Sequence, residues 1–219
     1  ELFLTRFSPD FEGDGDWRLQ REKAVEQRIL DSLERVENLG EDRIIRQYVL
    51  VLKATQRTNF FQQEADGSLK SCLSFKLKPS EIPGIPKPVP LYEVYVYSPR
   101  VEGVHLRGGK VARGGLRWSD RFEDFRTEVL GLVKAQQVKN AVIVPVGAKG
   151  GFVARQLRPD MSRDETQREG IACYQMYIRA LLDITDNRRG GEVIRPPQVV
   201  VKDEEDPYLV VAADKGTAS

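Results

Sequence analysis

The residues with the clearest chemical potential are two lysines beside glycine-rich segments. Lys149 stands within the run Gly147-Ala-Lys-Gly-Gly151, and Lys139 precedes it by ten residues, at the predicted end of a helix. Glycines remove side chains where a backbone must approach a small anion closely. Two ammonium groups can hold a carboxylate, and like charges in a partly desolvated pocket lower one another's pKa, so that a lysine can accept a proton near neutral pH. The pattern predicts a carboxylate site in which a lysine acts as a base.

A second glycine pair and one aspartate extend this candidate site. Gly114 and Gly115 follow Arg113, and the pair predicts a turn that also brings the backbone close to an anion. Asp214 follows the apolar run of residues 209–212 and is the natural carboxylate partner of the lysines. We therefore predict that one cleft collects the glycine pair, the aspartate and both lysines.

Composition excludes several other kinds of site. The only histidine is His105 and the only cysteines are Cys72 and Cys173, which argues against a Ser/His/Asp triad and a Cys/His zinc cage, so no metal site is predicted. With 34 Lys and Arg against 33 Asp and Glu, no overall field attracts nucleic acid or an anionic membrane. No apolar run approaches the ~20 residues of a membrane helix. We expect a cytoplasmic protein and, because the chain starts at Glu1, a piece of a longer one.

Hydrophobic periodicity divides the chain into a helical leader, residues 1–66, and a domain with strands, residues 67–219. Apolar residues at helical or alternating spacing predict four helices and two strands. The helices are expected at residues 16–38, 41–55, 121–140 and 164–185, with Gly40 capping the first, and the strands at residues 73–77 and 92–97. A further strand is expected in the apolar run of residues 142–146, just before the glycines around Lys149. The third helix links the two glycine-rich turns. Strands alternating with helices predict an α/β fold, a three-layer domain with a mixed sheet flanked by helices.

Two other functions fit the same residues. Arg107-Gly-Gly and Arg113-Gly-Gly resemble RGG boxes, which predicts a non-enzymatic module that binds RNA or another anion mainly through four cations: Arg107, Lys110, Arg113 and Arg117. The run around Lys149 also resembles a phosphate loop, although it lacks the spacing of one. Alternatively, the chain is a structural or regulatory remnant in which Lys149 is solvated and unpaired.

An ordered set of motifs resembles the substrate domain of glutamate dehydrogenases. Three runs carry the resemblance: Arg113-Gly-Gly-Leu-Arg-Trp-Ser119, Val138-Lys-Asn-Ala-Val142 and Val144-Pro-Val-Gly-Ala-Lys-Gly-Gly151. The similarity is closest to the large bacterial NAD-specific enzymes, in which three further runs recur: Gly115-Leu-Arg-Trp-Ser-Asp120, Arg126-Thr-Glu-Val-Leu-Gly-Leu132 and Val211-Ala-Ala-Asp-Lys-Gly-Thr217. It extends from about Leu69 to Thr217.

The resemblance implies a role for each candidate residue. The family's catalytic lysine falls on Lys149, its catalytic aspartate on Asp214 and its substrate-binding lysine on Lys139. The glycine pair next to the substrate falls on Gly114 and Gly115. Smaller enzymes of the family carry a lysine just before this pair, where this chain has Arg113. Because an arginine can hold a carboxylate bidentately, we expect the binding role to persist at this position.

The implied activity is NAD-dependent oxidative deamination of L-glutamate to 2-oxoglutarate and ammonia. Arg113, Lys139 and the glycine backbone would hold the substrate, Lys149 would activate water, and Asp214 would exchange protons with the amine nitrogen. No GxGxxG sequence follows a strand, so the dinucleotide-binding domain is expected downstream and the fragment alone is expected to be inactive. The parent protein is expected to be a homo-oligomer.

Overall fold

The computed structural model of the protein describes residues 1–110, 112–139 and 147–218, and gives only the backbone for Lys139. Six helices are described: α1 (Leu2–Phe7), α2 (Gly15–Leu33), α3 (Leu39–Ala54), α4 (Phe125–Lys139), α5 (Arg163–Asp183) and α6 (Lys215–Ala218). None of the helices in these residues combines the length and apolar character needed to cross a membrane.

Nine strands are described, seven of them in one mixed sheet. They are β1 (Thr55–Thr58), β2 (Leu73–Leu77), β3 (Tyr92–Tyr97), β4 (Val101–Arg107), β5 (Ala112–Trp118), β6 (Ala148–Ala154), β7 (Asn187–Arg189), β8 (Glu192–Ile194) and β9 (Leu209–Ala213). The order in the large sheet is β1-β2-β3-β4-β6-β5-β9. Strands β1, β2, β3 and β4 pair antiparallel in sequence, and β4 pairs antiparallel with β6. Strand β5 is parallel to both of its neighbours, β6 and β9.

Helices cover both faces of this sheet, which confirms the predicted three-layer α/β fold. A side chain at Gly103 would strike Tyr177 of α5, whereas one at Gly151 would strike Val129 of α4. The core against α5 contains buried Phe152, Leu181 and their neighbours. A second core lies between α4 and the opposite face of β4 and β6. The order β5-α4-β6 is a crossover unit that joins two parallel strands, as parallel pairing requires.

The two glycine-rich segments are strands, so their prediction as turns is wrong. Gly114 and Gly115 lie inside β5, and Gly150 and Gly151 lie inside β6. Glycine weakens an isolated strand, but here close packing requires it. A side chain at Gly150 would lie 2.5 Å from both Leu116 and the Tyr177 hydroxyl. The predicted strand at residues 142–146 lies outside the described residues.

Local capping explains where the leader departs from its prediction. The first long helix stops at Leu33, and Asn38, not Gly40, marks the boundary, because its side chain accepts hydrogen bonds from the Gly40 and Glu41 amides and caps α3. The strands predicted at residues 73–77 and 92–97 are confirmed. Helix α5 begins with a capping box, in which Ser162 and Glu165 bond each other's backbone amides.

A buried network of ion pairs joins the sheet to the segment that leads into β9. Arg57 Nε lies 2.5 Å from Asp203, and its Nη1 lies 2.7 Å from Asp186. Lys76 Nζ lies 2.5 Å from Asp203 and Asp206, and Arg107 also pairs with Asp206. These groups are almost fully buried, so each charge depends on its partners. The network therefore fixes the path of residues 203–206 across the α5 face of the sheet.

The only histidine of the chain lies beside this network without an acidic partner of its own. His105 is fully buried, its Nδ1 accepts a hydrogen bond from Arg107 Nε at 3.3 Å, and its Nε2 has no partner. Burial lowers the pKa of His105 well below the usual value, and Arg107 lowers it further, although Asp206 opposes them. The folded protein therefore holds this imidazole neutral.

We predict that the stability of the chain falls as the pH drops below about 6.5, the ordinary histidine value. Because the folded-state pKa is depressed, the unfolded state takes up the proton first, and the free energy of unfolding falls by about 1.4 kcal/mol per pH unit until the folded-state pKa is reached. Urea denaturation between pH 7 and about 5.5 measures this slope. In His105→Gln the slope should disappear; a slope that persists there would contradict the assignment.

Candidate functional site

Lys149, Gly115 and Asp214 form a row across three parallel strands. In register, Leu116 of β5 lies opposite Gly150 of β6 and Ala213 of β9, so Lys149 directly precedes one of these partners and Asp214 directly follows the other. A Cβ atom built on Gly115 would lie 3.7 Å from Lys149 Nζ and 3.3 Å from Asp214 Cβ. The amine and the aspartate thus flank one glycine, on the face that carries α4.

The chain turns directly after β9 and fixes the Asp214 carboxylate from two sides. The Thr217 amide donates to its Oδ1 at 3.0 Å, and Arg117 Nε donates to its Oδ2 at 3.2 Å. Burial raises the pKa of Asp214, but hydrogen bonds from Thr217 and Arg117 outweigh it and leave that pKa below its usual value. The aspartate is therefore ionised near neutral pH. Among the described side chains, Asp214 pairs with Arg117 and forms no ion pair with Lys149, so the predicted partnership of Lys149 and Asp214 stays a prediction.

A second carboxylate lies beyond Arg117, on α4. Arg117 Nη1 donates to Glu128 Oε1 at 3.0 Å, and Ser119 Oγ donates to Glu128 Oε2 at 2.6 Å. Burial raises the pKa of Glu128, yet the bonds from Ser119 and Arg117 prevail and lower it. Arg117 therefore lies between two ionised carboxylates, and sequence reasoning assigned neither Arg117 nor Glu128 to this site.

Arg113 lies on the same strand but away from the row. Its Nη2 donates to the Tyr208 hydroxyl at 2.9 Å, and the side chain is exposed. No hydrogen bond among the described side chains joins Arg113 to Lys149 or Asp214. By strand alternation it shares a face with Gly115, so its long side chain stands at the rim of the same surface.

Gly114 has a packing role that the sequence does not reveal. A Cβ atom there would lie 1.6 Å from the Ala148 carbonyl oxygen, which leaves no room for any side chain. Glycine at this position lets β5 and β6 approach each other at the start of their parallel pairing. The two members of the glycine pair thus differ, because a Cβ atom on Gly115 would come closest to the side chains of Asp214 and Lys149, whereas one on Gly114 would overlap the β6 backbone.

Lys139 ends α4, and its side chain lies outside the described residues. Its predicted place in the cleft therefore stays a prediction. Of the other residues predicted for the cleft, the described part of the chain brings Gly115, Lys149 and Asp214 together.

A cavity of about 440 Å³ adjoins the row on the side of Asp214. Its walls mix charged, polar and aromatic groups: Arg117, Trp118, Ser119, Asp120, Phe122, Glu128, Leu157 and Thr217. Two of these residues, Arg117 and Thr217, bond the Asp214 carboxylate directly. Another cavity, of about 460 Å³, lies between α3 and the sheet; its walls are mainly apolar, and its one arginine, Arg126, is paired with Glu93. The first cavity is the better candidate for a polar ligand.

The residues expected to bind RNA are engaged elsewhere. Arg107 is 1% exposed and pairs with Asp206, so it cannot reach a phosphate. Lys110 pairs with Glu204, and Arg117 pairs with Asp214 and Glu128. Both supposed RGG boxes continue or begin regular strands of the sheet. The alternative of an RNA- or anion-binding module is not supported.

Strand alternation is the sequence signal that places Arg117 in the candidate site. Residues two apart in a strand share a face, so recognising β5 as a strand places Arg117 beside Gly115. Glu128 lies in the first turn of α4. Only the crossover from β5 to α4 brings it back to Arg117. Tyr208 and Thr217 carry no such signal, because their roles depend on the path of β9.

Comparison with known proteins gives one consistent family. The model of the family described as bacterial NAD-glutamate dehydrogenase, catalytic domain, matches residues 28–219. The NAD-specific glutamate dehydrogenase of Pseudomonas aeruginosa is 64% identical over 218 residues, an alignment that covers 100% of this chain and 14% of that protein. The enzyme of the same name from Halomonas elongata is 62% identical over 219 residues, with 100% and 13% covered.

A more distant relative extends the same pattern. The NAD-specific glutamate dehydrogenase of Mycobacterium tuberculosis is 50% identical over 227 residues, which cover 100% of this chain and 14% of that protein. The chain thus spans only 13% to 14% of the length of these curated relatives.

We predict opposite outcomes for the two members of the glycine pair. Gly114→Ala should destabilise the chain by about 3 kcal/mol or more, because its methyl group meets the β6 backbone. Gly115→Ala should change stability by no more than about 1 kcal/mol, because its methyl group meets Asp214 Cβ at 3.3 Å, a tight contact that a small shift of the turn after β9 relieves. Urea denaturation followed by circular dichroism measures both. Gly131→Ala, in an open position on α4, is the control; equal losses at positions 114 and 115 would contradict the strand contact.

Proposed function

The chain belongs to the family of bacterial NAD-glutamate dehydrogenase catalytic domains, and we propose that its parent protein converts L-glutamate to 2-oxoglutarate and ammonia by NAD-dependent oxidative deamination. The observation that carries the proposal is the row of Lys149, Gly115 and Asp214, in which an amine and an ionised carboxylate flank one glycine. The high identity to relatives that bear this enzyme's name supports it.

In this proposal the cations around the row hold the substrate carboxylates. Arg113 stands at the rim on the face of Gly115, where its guanidinium can take a carboxylate bidentately. Lys139 at the end of α4 is proposed as a second cation for the substrate. Gly115 supplies backbone that carries no side chain of its own, so the substrate can approach the strand closely, and Gly114 lets β5 and β6 come together beside it. A dicarboxylate such as glutamate suits cations at two separate points.

Lys149 and Asp214 divide the proton chemistry. The Lys149 amine lies next to Gly115, where it can accept a proton from the water that attacks the imine carbon. Asp214 is held ionised by Thr217 and Arg117, so it can accept a proton from the substrate amine and return it later. Positioned acid–base groups of this kind contribute about 10²- to 10⁴-fold each.

The residues of this chain do not fit a dinucleotide site by themselves. A nicotinamide dinucleotide needs a glycine-rich turn between a strand and a helix N-terminus. Among the described residues, the glycine pairs at 114–115 and 150–151 lie inside β5 and β6, and those at 108–109 and 190–191 lie between two strands. The residues between β5 and α4 contain no glycine. We therefore propose that NAD, which the names of the relatives specify, binds mainly to a domain of the parent protein outside this chain. Residues 67–219 would supply most of the substrate-binding domain, and residues 1–66 its leader, which is helical apart from the sheet strand β1.

The partners, cellular location and oligomeric state of the parent protein are also proposals. The near-neutral charge of this chain and its paired surface arginines favour neither nucleic acid nor an anionic membrane as a partner. We propose a cytoplasmic homo-oligomer whose ligands are L-glutamate, 2-oxoglutarate and NAD.

Substitution of the two proton-handling residues in the full-length parent tests this function. We expect wild type to reduce NAD with glutamate, and Lys149→Ala and Asp214→Asn each to lower kcat by about 10²- to 10⁴-fold, because each removes a positioned acid–base group. The affinity for NAD should change little, since the cofactor binds elsewhere. The absorbance of NADH gives the rates, and calorimetry gives NAD binding.

Lys134→Ala, an exposed lysine of α4, is the matched control and should retain wild-type kinetics. A Lys149→Ala enzyme with nearly normal kcat and a raised KM would refute the role of Lys149 as a base and leave it as a carboxylate ligand. A wild-type protein without glutamate-dependent NAD reduction would refute the function itself.

A further inference from the structure

We propose that Arg117 is a positioning residue of this site, which holds Asp214 in its reactive orientation and sets its proton affinity, with Glu128 as the opposing charge. The inference rests on the proposed function, because it concerns the aspartate to which that function assigns proton exchange. Arg117 is not offered as a catalytic residue, since it acts through Asp214.

Strand geometry places Arg117 where it can do this. Arg117 lies two residues after Gly115 on β5, so its side chain emerges on the same face of the sheet. In register it lies opposite Gly151 of β6, a residue without a side chain. The guanidinium can therefore extend between the turn after β9 and the first turns of α4. Its side chain is 39% exposed, against 24% for Asp214 and 17% for Glu128.

Each carboxylate is held at both oxygens, and Arg117 is the link between them. Asp214 accepts from Thr217 N on one oxygen and from Arg117 on the other. Glu128 accepts from Ser119 Oγ on one oxygen and from Arg117 on the other. Thr217 Oγ1 in turn accepts from the Trp118 amide at 2.8 Å, which ties the end of the chain segment back to β5. No rotation of Asp214 is possible without breaking one of these bonds.

The charges around Asp214 decide how strongly it holds a proton. Arg117 on β5 and Lys149 on β6 favour the ionised form, as does exposed Lys215 on α6, while Glu128 on α4 disfavours it. Arg117 is the only one of these cations that bonds the carboxylate among the described residues. Removing Arg117 therefore leaves two partly buried carboxylates without the cation between them, which raises the pKa of Asp214. Removing the charge of Glu128 lowers that pKa.

The pH dependence of kcat in the full-length parent separates this role from a merely structural one. Asp214 must be ionised to accept the amine proton, so its pKa contributes to the acid limb of the profile. Arg117→Met should lower kcat by about tenfold or more and move the acid limb to higher pH by about one unit, with a smaller change in the KM for glutamate. Arg117→Lys, which restores the charge, should recover part of both effects.

Two further variants make the inference sharper. Glu128→Gln leaves Arg117 and Asp214 in place and should move the acid limb to lower pH, opposite to Arg117→Met. In the Asp214→Asn background, Arg117→Met should lower the residual kcat no further, because both substitutions remove the same function. A full additional loss in that background would overturn the inference, as would shifts of the acid limb in the same direction for the Arg117 and Glu128 variants.

Arg126→Met is the matched control for the loss of a partly buried ion pair. Arg126 bonds both oxygens of Glu93, at 2.7 and 2.6 Å, on the same face of the sheet but away from the row. Its substitution should leave the pH profile unchanged. The wild type and Lys149→Ala distinguish the two proposals: if wild type oxidises glutamate, Lys149→Ala does not, and Arg117→Met has the wild-type profile, the proposed function stands and this inference fails.

Discussion

The structure depends on one buried set of balanced charges. Three cations on β1, β2 and β4, namely Arg57, Lys76 and Arg107, meet three aspartates between α5 and β9, namely Asp186, Asp203 and Asp206. Burying such charges costs several kcal/mol per ion, and only complete pairing offsets the cost. Loss of a single partner leaves an uncompensated buried charge, a defect of about 3 to 5 kcal/mol.

The network matters for the candidate site because it holds the segment that leads into β9. Asp206 lies just before β9, and its amide donates to Asp186 at 2.7 Å. Strand β9 then pairs in parallel with β5 and ends at Asp214 beside Gly115. The charges on the α5 face therefore fix the strand that delivers the aspartate to the α4 face. The site needs no long loop to position it, since all three members of the row lie in or next to regular strands.

Part of this arrangement can be read from the sequence. The α/β class, strands β2 and β3 and the capping box of α5 follow from local patterns, and the motifs around Lys149 and Asp214 identify the candidate site. The glycine-rich strands were predicted as turns because local propensity disfavours glycine in strands, and only the close approach of β5 and β6 explains Gly114. Arg57, Lys76 and Arg107 look like surface residues in sequence, since their partners are remote along the chain. Arg117 fits the RNA-binding alternative in sequence because its carboxylate partners, Glu128 and Asp214, lie 11 and 97 residues away along the chain.

The measurement that tests the central claim most directly is the position of a bound substrate. An electron cryo-microscopy structure of the full-length parent with 2-oxoglutarate and NADH gives the distances from the ketone carbon to Lys149 Nζ and Asp214. The account predicts that the substrate lies above Gly115, with its ketone carbon about 3 to 4 Å from Lys149 Nζ and Asp214 within reach of the reacting nitrogen position. A substrate bound away from this row, with Lys149 and Asp214 out of contact, would contradict the account.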